Sequence, residues 1–329
     1  MDRSAIIIER SYFYGLTIYR HSMWRHLRHF QGRHSMKPMK LSRSEFIHIR
    51  GARTHVRHWG REGAPKIFMV HGWMDVAASF QFVVDELAGD WHVIAPDWRG
   101  FGLSDYTQSD TYWFPDYLAD LDAMLLRYSP DAPVNLLGHS MGANVAGLYA
   151  GVRPERIARF INLEGFGMMA TKPEQAPGRY AKWLDELREP PVMRSYPTQK
   201  AVAKRLQKTN PRLPDERAAF LAEHWSAQNE AGEWDIMGDP QHKRVNPILY
   251  QVEEVMACWR RITAPVLWVE ADDTNMWQWM GPKEQARIEI DRRLACIKDV
   301  RCEMMRDAGH MLHHDQPAAL ARLVEAFLA

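Results

Sequence analysis

Val134-Asn135-Leu136-Leu137-Gly138-His139-Ser140-Met141-Gly142 is the stretch on which the reading of this chain turns. A short apolar run, of the kind that fills a strand buried on both faces, leads directly into Gly-x-Ser-x-Gly with Ser140 at its centre. A serine in that setting sits on a sharp strand-to-helix turn, so its hydroxyl projects alone. Gly138 and Gly142 leave room for backbone and helix to pass each other. Downstream, Ala143, Val145, Ala146, Leu148 and Tyr149 recur at helical spacing, which predicts a helix from about residue 141 to 152.

A serine hydroxyl is a poor nucleophile near neutral pH until a base takes its proton and a third group orients that base. On this architecture the partners follow in the order serine, acid, histidine. Asp307-Ala308-Gly309-His310-Met311 lies between a strand-like run at 300–304 and an amphipathic helix at 317–328, which makes His310 the candidate base. The neighbouring His313 and His314 read as surface histidines. For the acid, Ala264-Pro265-Val266-Leu267-Trp268-Val269 reads as a buried strand, and Glu270-Ala271-Asp272-Asp273 lies at its C-terminal end, where the sites of open α/β sheets gather. Asp273 is the first choice there. Glu164, at the end of the strand Phe160-Ile161-Asn162-Leu163, is the alternative acid. Two backbone donors are needed for the oxyanion. One is Met141 N–H, and the other is Trp73 N–H in the loop His71-Gly72-Trp73 after the strand at 66–70. His71 is read as a brace for that loop.

The ordered motifs carry a resemblance. His71-Gly72-Trp73-Met74-Asp75 with Ala77-Ala78-Ser79-Phe80, then Asp97 to Asp105, then Gly138 to Gly142, then Asp307 to His310 are together similar to the α/β-hydrolase superfamily over about residues 41 to 329. Within it the chain most resembles the serine hydrolase-like proteins, through Trp73-x-Asp75-x-x-x-Ser79-Phe80. The resemblance implies ester or related acyl hydrolysis through an acyl-serine. One departure bears on the acid. Many relatives have Gly where this chain has Glu270, so the turn carrying Asp273 differs, and related dehalogenases carry an acid at a site matching Glu164. Dehalogenase and epoxide hydrolase chemistry itself requires a carboxylate at the elbow, where this chain has Ser140.

Alternating strands and helices predict an α/β-hydrolase fold: a mostly parallel eight-stranded sheet with helices on both faces. The core spans 41–164 and 248–329. Between them, residues 165–247 are polar, proline-punctuated and helix-forming, and are read as an inserted helical cap without a strong strand. Residues 1–40 are a basic amphipathic extension with no secretory signal pattern. Three roles fit that extension: docking on the body or on a second copy, weak binding to an anionic membrane surface, or a leader from an upstream start.

With 46% hydrophobic residues in 329, the chain can bury a large core. Its 42 basic and 41 acidic residues give no reason to expect nucleic acid as a partner. Its three cysteines, Cys258, Cys296 and Cys302, make no disulfide framework, which points to a reducing, cytoplasmic setting. No apolar run is long enough for a transmembrane segment. No metal and no cofactor are expected, and no phosphate-cradling Gly-x-x-x-x-Gly-Lys loop occurs. Apolar and soft side chains crowd the motif loops. Trp98, Phe166, Met169, Trp277 and Met311 are the candidate substrate-binding residues, and they suit a small-molecule ester with a medium-chain or aromatic acyl group. Arg99 is read as a structural ion-pair partner. A lactonase, a carbon–carbon bond hydrolase and a cofactor-free perhydrolase use the same parts, and a low-turnover ligand-binding protein keeps the same fold.

Overall fold

The computed structural model describes residues 39–329. The basic extension lies outside them apart from its last two residues. Eight strands form one sheet: β1 (Ser42–Ile49), β2 (Ala52–Trp59), β3 (Lys66–Val70), β4 (His92–Pro96), β5 (Val134–His139), β6 (Ile157–Leu163), and two later strands, Val266–Ala271 and Val300–Met305. A two-stranded hairpin, β7 (Ser226–Gln228) and β8 (Trp234–Ile236), precedes those last two, which are therefore β9 and β10. The order across the sheet is β1-β2-β4-β3-β5-β6-β9-β10. β2 is antiparallel to both of its neighbours, and every pair from β4 to β10 is parallel.

The central strands read as unbroken apolar runs because both faces are covered. In β3, Phe68 and Val70 join one core while Ile67 and Met69 join the other; Leu136 and Leu137 in β5 divide in the same way, as do Trp268 and Leu267 in β9. On the first face lie α2 (Phe114–Tyr128), α3 (Met141–Val152), α7 (Val252–Trp259) and α9 (Lys283–Leu294). On the second lie α1 (Gln81–Glu86) and α11 (Pro317–Leu328), the latter burying Leu320, Ala321 and Val324. Each large aliphatic side chain fully buried in this way contributes about 1.5–3 kcal/mol.

The apolar stretch after the loop following β3 makes only a short helix. A 3-10 turn over Ala77–Phe80 leads into α1, which stops at Glu86.

Between β6 and α7 the chain forms α4 (Ala176–Arg188), α5 (Gln199–Thr209), α6 (Asp215–Trp225) and the β7–β8 hairpin. The hairpin is the one paired-strand element between β6 and α7 among the described residues. Three-residue strands are too short to leave an alternating pattern in the sequence, and Trp234 is placed by bonds between its backbone and that of Tyr196. Val202, Leu213, Ala218 and Leu221 give the insertion a small core of its own. It is tied to the body where His242 stacks between Phe101 and Tyr112, with ring centroids 3.7 Å from each. Two short helices, α8 (Trp277–Met280) and α10 (Leu312–Asp315), complete the loops after β9 and β10. Among the described residues no helix is long and apolar enough to cross a membrane.

Candidate active site

Ser140 lies between β5 and α3 with φ 51° and ψ −116°, a left-handed conformation that costs a non-glycine residue about 1–3 kcal/mol. Neighbouring backbone holds it there: Ser140 N–H donates to the Leu163 carbonyl (2.8 Å), and its own carbonyl accepts from Asn144 N–H (3.0 Å). Met74, Glu164 and Asp307 also have positive φ. With Ser140, these residues follow the C-terminal ends of β3, β5, β6 and β10. Strain is therefore concentrated on the loops around one end of the sheet, where sites of this architecture form.

The elbow glycines are required by contact. A Cβ at Gly138 would come within 2.5 Å of Ala143 Cα, and one at Gly142 within 2.3 Å of the Val70 carbonyl oxygen. Both obstacles are backbone and cannot swing aside. Gly142→Val is expected to destabilise the fold by on the order of 3 kcal/mol. Gly178→Ala in α4, where nothing lies within 4 Å, is expected to stabilise it by up to about 1 kcal/mol. Urea unfolding midpoints of the two variants measure the contrast.

His310 Nε2 stands 3.0 Å from Ser140 Oγ, and His310 Nδ1 stands 3.2 Å from Glu164 Oε2. The carboxylate that meets the histidine is thus the one at the end of β6. The first choice made from sequence, Asp273, is corrected by its position. Its side chain is 70% exposed and pairs with Arg212 of the insertion at 2.6 Å. Asp272 beside it accepts the backbone N–H groups of Asp307 and Ala308. Glu270 is occupied by the Trp268 indole (3.0 Å) and by Arg287 (2.6 Å).

Glu164 is fully buried. Its Oε1 accepts from Ala271 N–H (2.7 Å), and its Oε2 accepts from the Thr274 hydroxyl. Burial pushes its carboxyl up to about 8, with the Thr274 and Ala271 hydrogen bonds opposing and the nearby Glu270 adding to the rise. Burial pushes the His310 imidazole down to about 4, against a smaller opposing pull from Asp75. Both shifts oppose buried charge and favour the neutral forms of the two groups.

His71 braces the loop after β3. Its Nδ1–H donates to the Gly72 carbonyl (2.8 Å), and its Nε2 accepts from Trp98 N–H (2.9 Å). A Cβ on Gly72 would lie 3.2 Å from Ser140 Cβ, so this loop runs directly beside the elbow and brings Trp73 with it. Met141 is the first residue of α3, and its N–H has no carbonyl to pair with inside the helix.

Two of the candidate substrate-binding residues are core residues. Trp98 is buried, donates its indole N–H to the His71 carbonyl and packs edge-on against Tyr117. Phe166 is buried edge-on against Trp268. The sequence showed their apolar character but not which side of the loop each would face. Trp277 is half-buried with Lys283 over its ring, whereas Met169 is exposed and Met311 is partly accessible. Trp279 was missed: it is half exposed, and its ring centroid lies 5.6 Å from that of His310. His313 and His314, read as surface residues, are buried, because the chain after His310 turns inward as α10 and both rings reach Ser79 Oγ. Arg99 is a buried bidentate partner of Asp120. A cavity of about 230 Å³ bordered by Arg57, Val76, Asp97, Leu103, His224 and Met237 touches neither Ser140 nor His310.

Residues 65–317 match the family described as having the alpha/beta hydrolase fold, and the chain belongs to that family. A serine hydrolase-like protein of Danio rerio is 26% identical over 313 residues, covering 92% of each chain. Serine hydrolase-like protein 2 of Homo sapiens is 23% identical and covers 82% of this chain and 88% of its own. Among solved structures, the thioesterase domain from the curacin biosynthetic pathway superposes with a TM-score of 0.77 at 25% identity, covering 87% of this chain and 99% of its own. An esterase of Mycobacterium tuberculosis has a TM-score of 0.65 at 20% identity, covering 88% and 91%, and shows the fold alone.

Proposed function

We propose that this chain is a serine hydrolase that cleaves carboxylic esters with apolar acyl groups through an acyl-serine intermediate. The observation that carries this reading is the hydrogen-bonded chain from Ser140 Oγ through the His310 ring to Glu164. With Glu164 ionised, Nδ1 of His310 holds its hydrogen toward the carboxylate, and Nε2 is free to accept the serine proton. Ser140 Oγ then attacks the ester carbonyl. The oxyanion that forms is held by Met141 N–H and Trp73 N–H, and protonated His310 gives its proton to the departing alcohol. Water attacks the acyl-serine along the reverse proton path and releases the acid. Every proton is accounted for within these three side chains, so no metal or cofactor enters the scheme.

The rim supports an apolar substrate. Trp73 after β3, Met169 after β6 and Trp279 in α8 after β9 are each about half exposed at the same end of the sheet, and none brings a charge. Contacts of the insertion with the loops after β9 and β10, Arg212–Asp273 and Asn210–Asp315 (2.7 Å), support reading it as a cap over the site. The solved structure named as a thioesterase domain is consistent with acyl transfer to serine.

A fluorophosphonate probe tests the nucleophile. Labelling at neutral pH that maps to Ser140 and vanishes in Ser140→Ala is the expected result. A folded chain that takes no label would favour a ligand-binding protein. A panel of p-nitrophenyl esters, thioesters and lactones then tests the substrate. Medium-chain and aryl esters are expected to exceed a charged succinyl ester in kcat/KM by at least about tenfold, the scale on which a pocket distinguishes apolar from mismatched groups. Equal or reversed preference removes the apolar assignment.

A further inference from the structure

Beneath the triad lies a second cluster that the hydrolytic scheme does not use. Asp75, His139 and His313 are all buried, and one carboxylate oxygen and one ring nitrogen from each histidine lie within 4.8 Å of one another. Each side chain leaves a buried atom without a hydrogen bond among the described residues: Oδ2 of Asp75, Nδ1 of His139 and Nδ1 of His313. The remaining atoms are engaged. Asp75 Oδ1 accepts from Val76 N–H (2.9 Å), His139 Nε2–H donates to the His310 carbonyl (2.9 Å), and His313 Nε2 lies 3.1 Å from Ser79 Oγ.

Such a cluster is expensive as it stands. A buried carboxylate needs a cation or several donors, and the atom that approaches Asp75 Oδ2 is His313 Nε2 at 3.8 Å, beyond hydrogen-bond reach and already beside Ser79 Oγ. Burial lowers the proton affinity of both imidazoles, which leaves them in the neutral form that ligates metals. Outer hydrogen bonds from each ring to an oxygen are the kind that set the tautomer of a metal-bound histidine.

We infer that Asp75, His139 and His313 bind one divalent transition-metal ion of the zinc class. Two imidazoles and one carboxylate form a donor set that suits such an ion and leaves a fourth position for water. With donors no more than 4.8 Å apart, an ion at the centre of the smallest circle enclosing them sits within about 2.8 Å of each, and side-chain rotations close that to the 2.0–2.2 Å of a bond. The three ligands belong to the three segments that build the site. Asp75 follows Trp73, His139 precedes Ser140, and His313 follows His310. The ion therefore staples the oxyanion loop, the elbow and the base loop together from below, with no role in the proton path.

The inference is separable from the hydrolase reading because its test needs no substrate. The full chain is stripped with a chelator and titrated with Co2+, followed by visible absorption and native mass spectrometry. One retained ion with the intense bands of four- or five-coordinate Co2+, displaced by Zn2+, is the expected outcome. Asp75→Asn and His313→Gln are expected to weaken binding at least tenfold, while His310→Ala keeps it, and saturating Zn2+ should raise the unfolding midpoint of the unsubstituted chain. Circular dichroism of the variants in chelator checks that they are folded. Where a variant is unfolded, the unsubstituted chain still decides: no ion retained, or no rise in its midpoint with Zn2+, overturns the site. Binding that survives Asp75→Asn but is lost in His310→Ala would place the ion at the triad and overturn it equally.

Discussion

Glu164→Gln is expected to lower kcat by about 10⁴-fold, the loss that follows when a neutral amide replaces the carboxylate orienting a catalytic histidine. Asp273→Asn is expected to leave kcat within about threefold, because Asp273 faces solvent in an ion pair with Arg212 and an exposed pair of that kind is worth about 0–1 kcal/mol. The same comparison has a pH signature. The working form holds Glu164 ionised and His310 neutral, which together carry one proton fewer than the protonated pair, so kcat/KM rises with pH as that proton leaves. With Glu164 pushed up to about 8 and His310 down to about 4, the last proton to leave is the one on Glu164, so the ascending limb lies near 8. In Glu164→Gln the limb moves to lower pH, because the charge that favours imidazolium is gone, and it reaches a much lower plateau. Stopped-flow or initial-rate profiles of the three proteins on one p-nitrophenyl ester measure both effects. A full loss in Asp273→Asn with none in Glu164→Gln would reassign the acid.

His310→Ala should be the more damaging change, on the order of 10⁶-fold in kcat, with Ser140→Ala similar and the double variant no worse than either. The reason is geometric. A base 3.0 Å from Ser140 Oγ and a nucleophile without a base are two halves of one step, so removing either removes the step. Additive losses in the double variant would show that the two side chains act independently, which the hydrogen-bonded chain does not allow. Far-ultraviolet circular dichroism keeps this comparison free of folding effects. Both side chains sit at the surface end of the sheet, and neither belongs to the two apolar cores.

Much of this was legible in the residue order. Gly138-His139-Ser140-Met141-Gly142 after an apolar run specifies a strand, a strained turn and a helix, because only small residues clear the Val70 and Ala143 backbone. Gly309-His310 between a strand and an amphipathic helix likewise locates a histidine at the same sheet end, with β9 pairing β10 in parallel register. These are local instructions: each concerns neighbours in sequence, and periodicity and sterics suffice to read them.

The acid was not of that kind. Glu164 and Asp273 each follow a parallel strand, β6 and β9, and those strands are adjacent in the sheet, so both carboxylates start from the same edge. What separates them is the direction in which each turn leaves its strand. Glu164, at φ 57°, turns its side chain inward under Ala271 and Thr274, whereas Asp273 is carried outward to Arg212 on α5's far loop. Direction of this sort depends on partners tens of positions to more than a hundred away and has no periodic signature. The same holds for Trp98 and Phe166, whose burial is set by His71, Tyr117 and Trp268, and for His313 and His314, drawn inward to Ser79. The sequence by itself determined the sheet, the serine elbow and a histidine at the same sheet end, because hydrophobic period and glycine sterics act over a few residues. Which carboxylate serves the base, which aromatics meet solvent and which polar groups gather beneath the site were decided only when distant loops packed against one another, since burial and hydrogen bonding are properties of that packing and not of any one segment.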